Sequence, residues 1–163
     1  MAIMAIFIFI MIGVGGYTRL SQSGLSMVEW KPVTGWLPPI SESDWESSFS
    51  KYKDSPEFLK INHQMSTEEF KDIFYVEYFH RLLGRILGLV FFIPFITFAL
   101  QKKLSVQHFW LYLSIGTLGG IQGFVGWFMV KSGLVNEPSV SAYRLCLHLS
   151  LAGILFWLCL KRS

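Results

Sequence analysis

The chain has 163 residues, a net charge of +3, 52% hydrophobic residues and 17% aromatic residues. These values and a mean hydropathy of +0.45 exceed those of a soluble domain and predict a membrane protein. The positive charges are dispersed, which gives no support to nucleic-acid binding. The two cysteines, Cys146 and Cys159, lie in one apolar segment, where they can neither bridge each other nor form a metal-binding pair.

Four apolar stretches are long enough to cross a bilayer as helices. The predicted spans cover about 1–18, 76–100, 108–130 and 142–160. The first has no basic start and no small-residue cleavage site, so we expect a retained span and not a signal peptide. Basic residues stand at 102–103 and 161–162. The positive-inside rule therefore places the ends of the second and fourth spans on the inner side of the membrane. The sequence therefore predicts an all-α, polytopic membrane protein, a single domain built as a four-helix transmembrane bundle.

The polar region between the first two spans, about 18–75, is predicted to be a long, partly helical outer loop. Ser41 and Ser55 are expected to begin short helices. Ser66 opens a Ser-x-x-Glu capping box, which predicts that the second long helix starts near Thr67, outside the bilayer. The tryptophans of this loop suit a surface at the lipid interface; they are Trp30, Trp36 and Trp45.

The second span opens with an unusually polar stretch. On a helix, Glu77 and His80 share a face, and charge at a membrane entrance is costly unless it is paired or used. His80, Gly84 and Gly88 follow at fourfold spacing, and a haem held by the imidazole would fit against the two glycines. Glu77 has two interpretations: an ion pair with Arg81 that satisfies both charges, or a general base or electrostatic stabiliser beside a bound macrocycle.

His148 in the fourth span is the second candidate ligand, because a haem iron takes two axial imidazoles from facing helices of a bundle. At about 1.5 Å per residue along a helix, His80 lies roughly 33 Å from the basic inner end of the second span, and His148 lies roughly 20 Å from the basic inner end of the fourth. The sequence thus leaves open whether they share one iron. Arg81, Arg85 and Arg144 are candidates for pairing with haem propionates, although Arg85 could instead snorkel to the surface.

The third span contains many glycines at or near four-residue spacing. They are Gly116, Gly119, Gly120, Gly123 and Gly126. Such spacing lets a neighbouring helix or a ligand approach closely, and the sequence leaves both interpretations open.

Several motifs resemble the haem A synthase family. Residues 15–27, GGYTRLSQSGLSM, resemble its GG-x-TRL-x-x-SGLSM signature. The resemblance continues in residues 62–65, 77–81, 123–134 and 143–148, so it covers nearly the whole chain. The chain is most similar to the alphaproteobacterial and mitochondrial branch, because its first outer loop lacks the cysteine pair of the Bacillus-like branch.

The resemblance implies a haem-O-oxidising oxidoreductase, which converts the C8 methyl of haem O to a formyl group and so makes haem A for cytochrome c oxidase. It implies that His80 and His148 ligate the iron of haem O. It implies that Glu77 assists the oxidation, by stabilising positive charge or by activating water. Full-length members have eight spans in two similar halves; this chain would be the N-terminal, substrate half, with a haem b expected in the C-terminal half.

The resemblance also implies a multi-pass protein of a bacterial plasma (inner) membrane or a mitochondrial inner membrane. The implied partners are haem O, a C-terminal half chain, haem O synthase, an electron acceptor and the lipid bilayer. Three other functions stay open: a haem-binding electron-transfer or carrier module, which has no need of Glu77; a structural assembly subunit; and an inactive truncated remnant.

Overall fold

The computed structural model describes residues 1–31, 34–135 and 138–162. Throughout these ranges the regular structure is α-helical, without strands, which confirms the all-α fold class. The helices are α1 (Ala2–Leu20), α2 (Glu42–Lys53), α3 (Pro56–Lys60), α4 (Thr67–Leu100), α5 (Val106–Gly133) and α6 (Ala142–Lys161).

Helices α1, α4, α5 and α6 are long and apolar enough to cross a membrane, which confirms a polytopic membrane protein. The four predicted spans fall on these helices. Because α1 continues through Leu20, it reaches 19 residues, close to the length that a bilayer requires. Where the bilayer begins and ends along each helix stays a prediction.

The short-range signals for helix starts in the outer loop are confirmed. The side chains of Ser41, Ser55 and Ser66 accept hydrogen bonds from backbone N–H groups in the first turns of α2, α3 and α4. At α4 the Glu69 carboxylate also accepts a bond from the Ser66 backbone N–H, at 2.8 Å. These caps satisfy donors that a helix start leaves without partners, so local sequence alone fixes where these helices begin.

The four long helices form a ring. Helix α1 packs against α4 and α6, and α5 also packs against α4 and α6. Within the described residues no Cα atom of α4 lies within 8 Å of a Cα atom of α6, so these two helices lie diagonally across the bundle. We call the end that carries the α4–α5 turn the inner end, and the end that carries α2 and α3 the outer end.

Two apolar clusters hold the fold. The outer cluster joins α2 to the start of α4 and contains Trp45, Phe49, Tyr52, Phe70, Phe74 and Tyr78. The inner cluster fills the inner half of the bundle and contains Ala5, Ile8, Ile115, Leu155 and Cys159. The interfacial position predicted for Trp45 is wrong, because this ring is buried against Phe70 and Phe74 of α4. Trp30 and Trp36 are exposed.

Candidate functional site

His80 lies in the outer half of the bundle, on the side of α4 that faces α1. Its ring is half-buried and rests against Gly15 of α1. A Cβ atom at Gly15 would lie only 3.1 Å from His80 Nε2, so the absence of a side chain at Gly15 makes room for the imidazole.

His148 lies on α6, and its ring rests against α5 between Gln122 and Gly126. A Cβ atom at Gly126 would lie 3.0 Å from His148 Cε1. Gln122 Nε2 donates to the backbone carbonyl of His148 at 3.0 Å and lies 3.3 Å from His148 Nε2. Both candidate ligands therefore occupy a position that a glycine on a neighbouring helix provides.

The helix ends place the two histidines at similar heights. His80 comes twenty residues before Leu100, and Gly126, the neighbour of His148, comes twenty residues after Val106. Because α4 and α5 are antiparallel and joined by a short turn, equal counts from that turn mean equal depth. The depths counted from the two basic ends differ because those ends do not lie at the same level.

The outer half of the bundle has features of a binding site for a large apolar group. His148 Nδ1 and Gln122 Oε1 are buried and have no hydrogen-bond partner among the described residues, and such atoms are costly in a membrane interior. A Cβ atom at the half-buried Gly88 would meet nothing within 4 Å. The two imidazoles are donors that fit a haem iron. The open space beside a glycine and the small number of polar atoms form a surface that fits the haem ring.

Glu77 is 2% exposed and lies on α4 one turn before His80. Its Oε1 accepts a bond from Arg81 Nη2 at 2.6 Å. Its Oε2 accepts bonds from Ser26 Oγ at 2.7 Å and from the Met27 backbone N–H at 2.8 Å. Three donors therefore hold this one buried carboxylate in place. The ion pair with Arg81 is present, and the loop supplies two further donors.

The three candidate arginines have different surroundings. Arg81 also donates to the backbone carbonyls of Met27 and Glu29, and Arg85 Nη2 donates to the carbonyl of Lys31 at 2.9 Å. Both arginines line a cleft of about 340 Å³ between the outer loop, α2 and α4. The Arg144 guanidinium lies over the Phe128 ring, 4.8 Å from its centroid.

A second buried carboxyl lies in the outer loop. Glu57 is 4% exposed and accepts a bond from the Tyr52 hydroxyl at 3.0 Å, and Asn62 Nδ2 donates to the Tyr52 oxygen at 2.8 Å. Burial raises the pKa of Glu57 to about 7; the Tyr52 bond opposes this rise and the charge of Glu77 adds to it. Burial also raises the pKa of Tyr52.

Sequence reasoning missed the side chains that complete these contacts. Ser26 stands in the signature stretch, but its partner Glu77 lies 51 positions away. Gln122 immediately precedes the glycine-rich motif of α5, and a polar amide inside an apolar span is a signal that could have identified it.

Comparison with known proteins identifies the family. The model of the cytochrome oxidase assembly protein family COX15-CtaA matches residues 1–162. The chain belongs to this cytochrome oxidase assembly protein family. No solved structure matches the chain.

Several members of the cytochrome oxidase assembly protein family are about half identical to this chain. The haem A synthase of Nitrosospira multiformis is 54% identical over 158 residues, which are 94% of this chain and 44% of that protein. The haem A synthase of Wolbachia pipientis subsp. Culex pipiens (strain wPip) is 52% identical over 93% of this chain and 46% of that protein. The haem A synthase of Neorickettsia sennetsu is 51% identical, with 96% and 48% covered. The chain thus spans less than half the length of the curated relatives it matches.

Proposed function

We propose that this chain is the substrate-binding half of a haem A synthase, an oxidoreductase that converts the C8 methyl of haem O to the formyl group of haem A. The observation that carries this proposal is the buried carboxylate of Glu77, one turn from His80, in a bundle whose diagonal helix presents His148 at the same height. Membership of the cytochrome oxidase assembly protein family and the named relatives support it.

In this proposal His80 and His148 hold the iron of haem O from opposite helices. When bound, haem O would supply both the iron and the methyl carbon that is oxidised. The glycines at 15 and 126 keep the two imidazoles close to α1 and α5, and the outer half of the bundle would supply a largely apolar pocket. Such a pocket, with few placed polar groups, is typical of sites for large hydrophobic ligands.

Glu77 acts as a fixed negative charge in this proposal. Arg81, Ser26 and the Met27 N–H already donate to both carboxylate oxygens, so the group is held in place. A preorganised charge in a site of low dielectric constant stabilises positive charge that develops nearby. These contacts favour electrostatic stabilisation over activation of water.

The arginines would bind the haem propionates. Arg144 is our first candidate, because it lies one turn outward of His148 and contacts the Phe128 ring. Arg85 and Arg81, in the wall of the outer cleft, are the next candidates. Arg81 comes last, since it already bonds to Glu77 and to two loop carbonyls.

The proposed reaction would need further components. We propose that a C-terminal half with a haem b passes electrons to an acceptor, that haem O synthase supplies the substrate, and that the product serves cytochrome c oxidase. The location would be a bacterial plasma membrane or a mitochondrial inner membrane.

The test is to extract haem from membranes that contain the chain, a source of haem O and the C-terminal half of a relative. Liquid chromatography with mass detection would compare the wild type with Glu77→Gln, His80→Ala and the control Glu46→Gln, an exposed position on α2. We expect haem A in the wild type and the control, about 100-fold less in Glu77→Gln, and little bound haem in His80→Ala.

A different outcome would favour the second candidate function, an electron-transfer or carrier module. The two diagonal histidines are compatible with a di-histidine cytochrome. If haem O stays bound but unchanged in the wild type and in Glu77→Gln alike, the oxidation proposal is wrong and the carrier module is supported.

A further inference from the structure

Part of the outer loop presents large apolar side chains on its surface. Leu37 and Ile40 are 73% and 77% exposed, and the rings of Trp30 and Trp36 are exposed as well. We call these four residues the loop patch. Large apolar groups that stand together on a surface are typical of a site that contacts another apolar surface.

Hydrogen bonds to α4 fix the height of the loop patch. The Tyr78 hydroxyl donates to the Trp36 carbonyl at 2.7 Å, and Arg85 Nη2 donates to the Lys31 carbonyl at 2.9 Å. Tyr78 and Arg85 come twenty-two and fifteen residues before Leu100, the inner end of α4. At about 1.5 Å per residue, they lie roughly 33 Å and 22 Å above that end. Because the hydrocarbon core of a bilayer is about 30 Å thick, the loop patch lies close to its outer boundary.

The face of α4 that holds the loop continues inward as an exposed apolar stripe. Leu89, Ile93 and Ile96 follow Arg85 at intervals of three or four residues, so they lie on the same side of the helix. All three are exposed. The Arg85 guanidinium lies 5.9 Å from the centroid of the Trp36 ring. The loop patch therefore extends outward an apolar surface of a helix that is long enough to cross a membrane.

The backbone of this part of the loop is suited to a place where water is scarce. The Lys31 carbonyl accepts a second bond, from the Gly35 N–H at 3.0 Å. The two residues after Leu37 are Pro38 and Pro39, which have no N–H group that would need an acceptor. Polar backbone groups without partners are costly at an apolar boundary, and these bonds and prolines reduce that cost.

We propose that the loop patch is a lipid-binding surface that dips into the outer leaflet of the bilayer. Tryptophan rings favour the level of the lipid head groups, and Leu37 and Ile40 would contact the acyl chains beneath them. Arg81 and Arg85 hold the loop in this position through the carbonyls of Glu29 and Lys31. The inference does not depend on the proposed haem chemistry, and its tests use no haem.

The first test is spin labelling of the chain in phosphatidylcholine nanodiscs. The background would be Cys146→Ser with Cys159→Ala, which removes both free thiols. Single labels would be attached at Leu37→Cys and Ile40→Cys. The references are Ile93→Cys, on the exposed apolar stripe, and Glu46→Cys, at an exposed position of α2. Circular dichroism would verify that each variant is folded.

Power saturation would measure the collisions of each label with oxygen, which concentrates in lipid, and with a water-soluble nickel chelate. We expect the labels at 37 and 40 to favour oxygen, as the label at 93 does, and the label at 46 to favour nickel. Labels at 37 and 40 that behave like the label at 46 would place the loop patch in water and overturn the inference. Labels shielded from both reagents would show that protein, such as a second copy of the chain, covers the patch, and would overturn it too.

The second test uses the native tryptophans and needs no label. The chain would be reconstituted in phosphatidylcholine brominated on its acyl chains close to the head group, and the quenched fraction of the tryptophan emission would be measured. Trp36→Phe removes a ring of the loop patch, and Trp45→Phe removes a ring buried in the outer cluster. We expect the quenched fraction to fall in Trp36→Phe and to rise in Trp45→Phe. A fraction that stays constant or rises in Trp36→Phe would overturn the inference.

Discussion

At the scale of single residues, each candidate haem ligand depends on a glycine of a neighbouring helix. The contacts of His80 with Gly15 and of His148 with Gly126 would bring an added Cβ atom within 3.1 Å and 3.0 Å of the rings. Contacts this short force one partner to move, and a closely packed helix pair transmits the shift. The sequence had suggested Gly84 and Gly88 as the surface for a haem and had named Gly126 among the close-approach glycines of the third span. Of these, Gly126 contacts a histidine ring, and the glycine that contacts His80 is Gly15 of α1.

Gly126→Ala should weaken haem binding, and Gly123→Ala should not. The added methyl group at position 126 would displace the His148 ring, whereas at position 123 it would meet nothing within 4 Å. Overpacking of this kind costs about 1–2 kcal/mol, which corresponds to a dissociation constant for ferric protohaem raised about 5- to 30-fold. Optical titration would measure it. Equal affinities of the two variants for ferric protohaem would contradict the close contact between the His148 ring and Gly126.

At the scale of elements, the charged start of α4 serves as an anchor for the first outer loop. Glu77 accepts bonds from the loop, while Arg81 and Arg85 donate to loop carbonyls. The loop residues in these bonds are Ser26, Met27, Glu29 and Lys31. The polar groups that looked costly in the sequence therefore satisfy one another across two elements, and a catalytic role for Glu77 is compatible with this structural role.

Ser26→Ala should loosen the loop. It removes a buried hydrogen bond of 2.7 Å to the Glu77 carboxylate, and a bond to a charged group contributes about 1.5–3 kcal/mol. Hydrogen exchange followed by mass spectrometry should show the segment 21–31 exchanging at least about 10-fold faster. Ser50→Ala, at an exposed position of α2, is the control. If both variants exchange at the same rate, the bond does not hold the loop.

The α2–α3 region should become less stable as pH rises from about 4.5 to about 7. The pKa of Glu57 is raised from 4.5 to about 7 by burial, so in this window the folded state binds more protons than the unfolded state, and stability decreases with pH. The loss is complete above about 7. Hydrogen exchange of the segment 42–60, corrected for the intrinsic pH dependence of exchange, should follow this curve in the wild type.

Glu57→Gln removes the titrating group but keeps a hydrogen-bonding side chain beside Tyr52. We expect its corrected exchange profile to be flat over the same pH range. A profile as steep as that of the wild type would assign the pH dependence to a different group.

At the scale of the whole molecule, the bundle has a packed inner half and an outer half that contains the histidines. Much of this architecture could be predicted from sequence, because spans follow from apolar length and helix starts follow from local caps such as Ser66. The contacts that build the site could not be predicted this way. Gln122 and His148 are 26 positions apart, and a single sequence carries no signal for which side chains of different helices meet.

The direction in which individual side chains point could also not be predicted from the sequence. Tryptophan is a residue type common at membrane interfaces, which is why Trp45 was predicted to lie there. In the structure its ring is instead buried against Phe74 on the aromatic face of α4. Burial of a large aromatic ring contributes strongly to the stability of such a cluster. The diagonal relation of α4 and α6 likewise follows from packing around the ring of helices, which no local pattern encodes.

The attachment of the loop to α4 has a consequence for biosynthesis. Ser26 leaves the ribosome about fifty residues before Glu77, and at roughly 5–20 residues per second this delay lasts about 3–10 s. During that interval the first helix and its loop lack the Glu77 carboxylate to which Ser26 and Met27 later donate hydrogen bonds. The outer loop can therefore adopt its final contacts only after the second long helix has been inserted. A pause in translation just before Glu77 would prolong the period in which the loop lacks them.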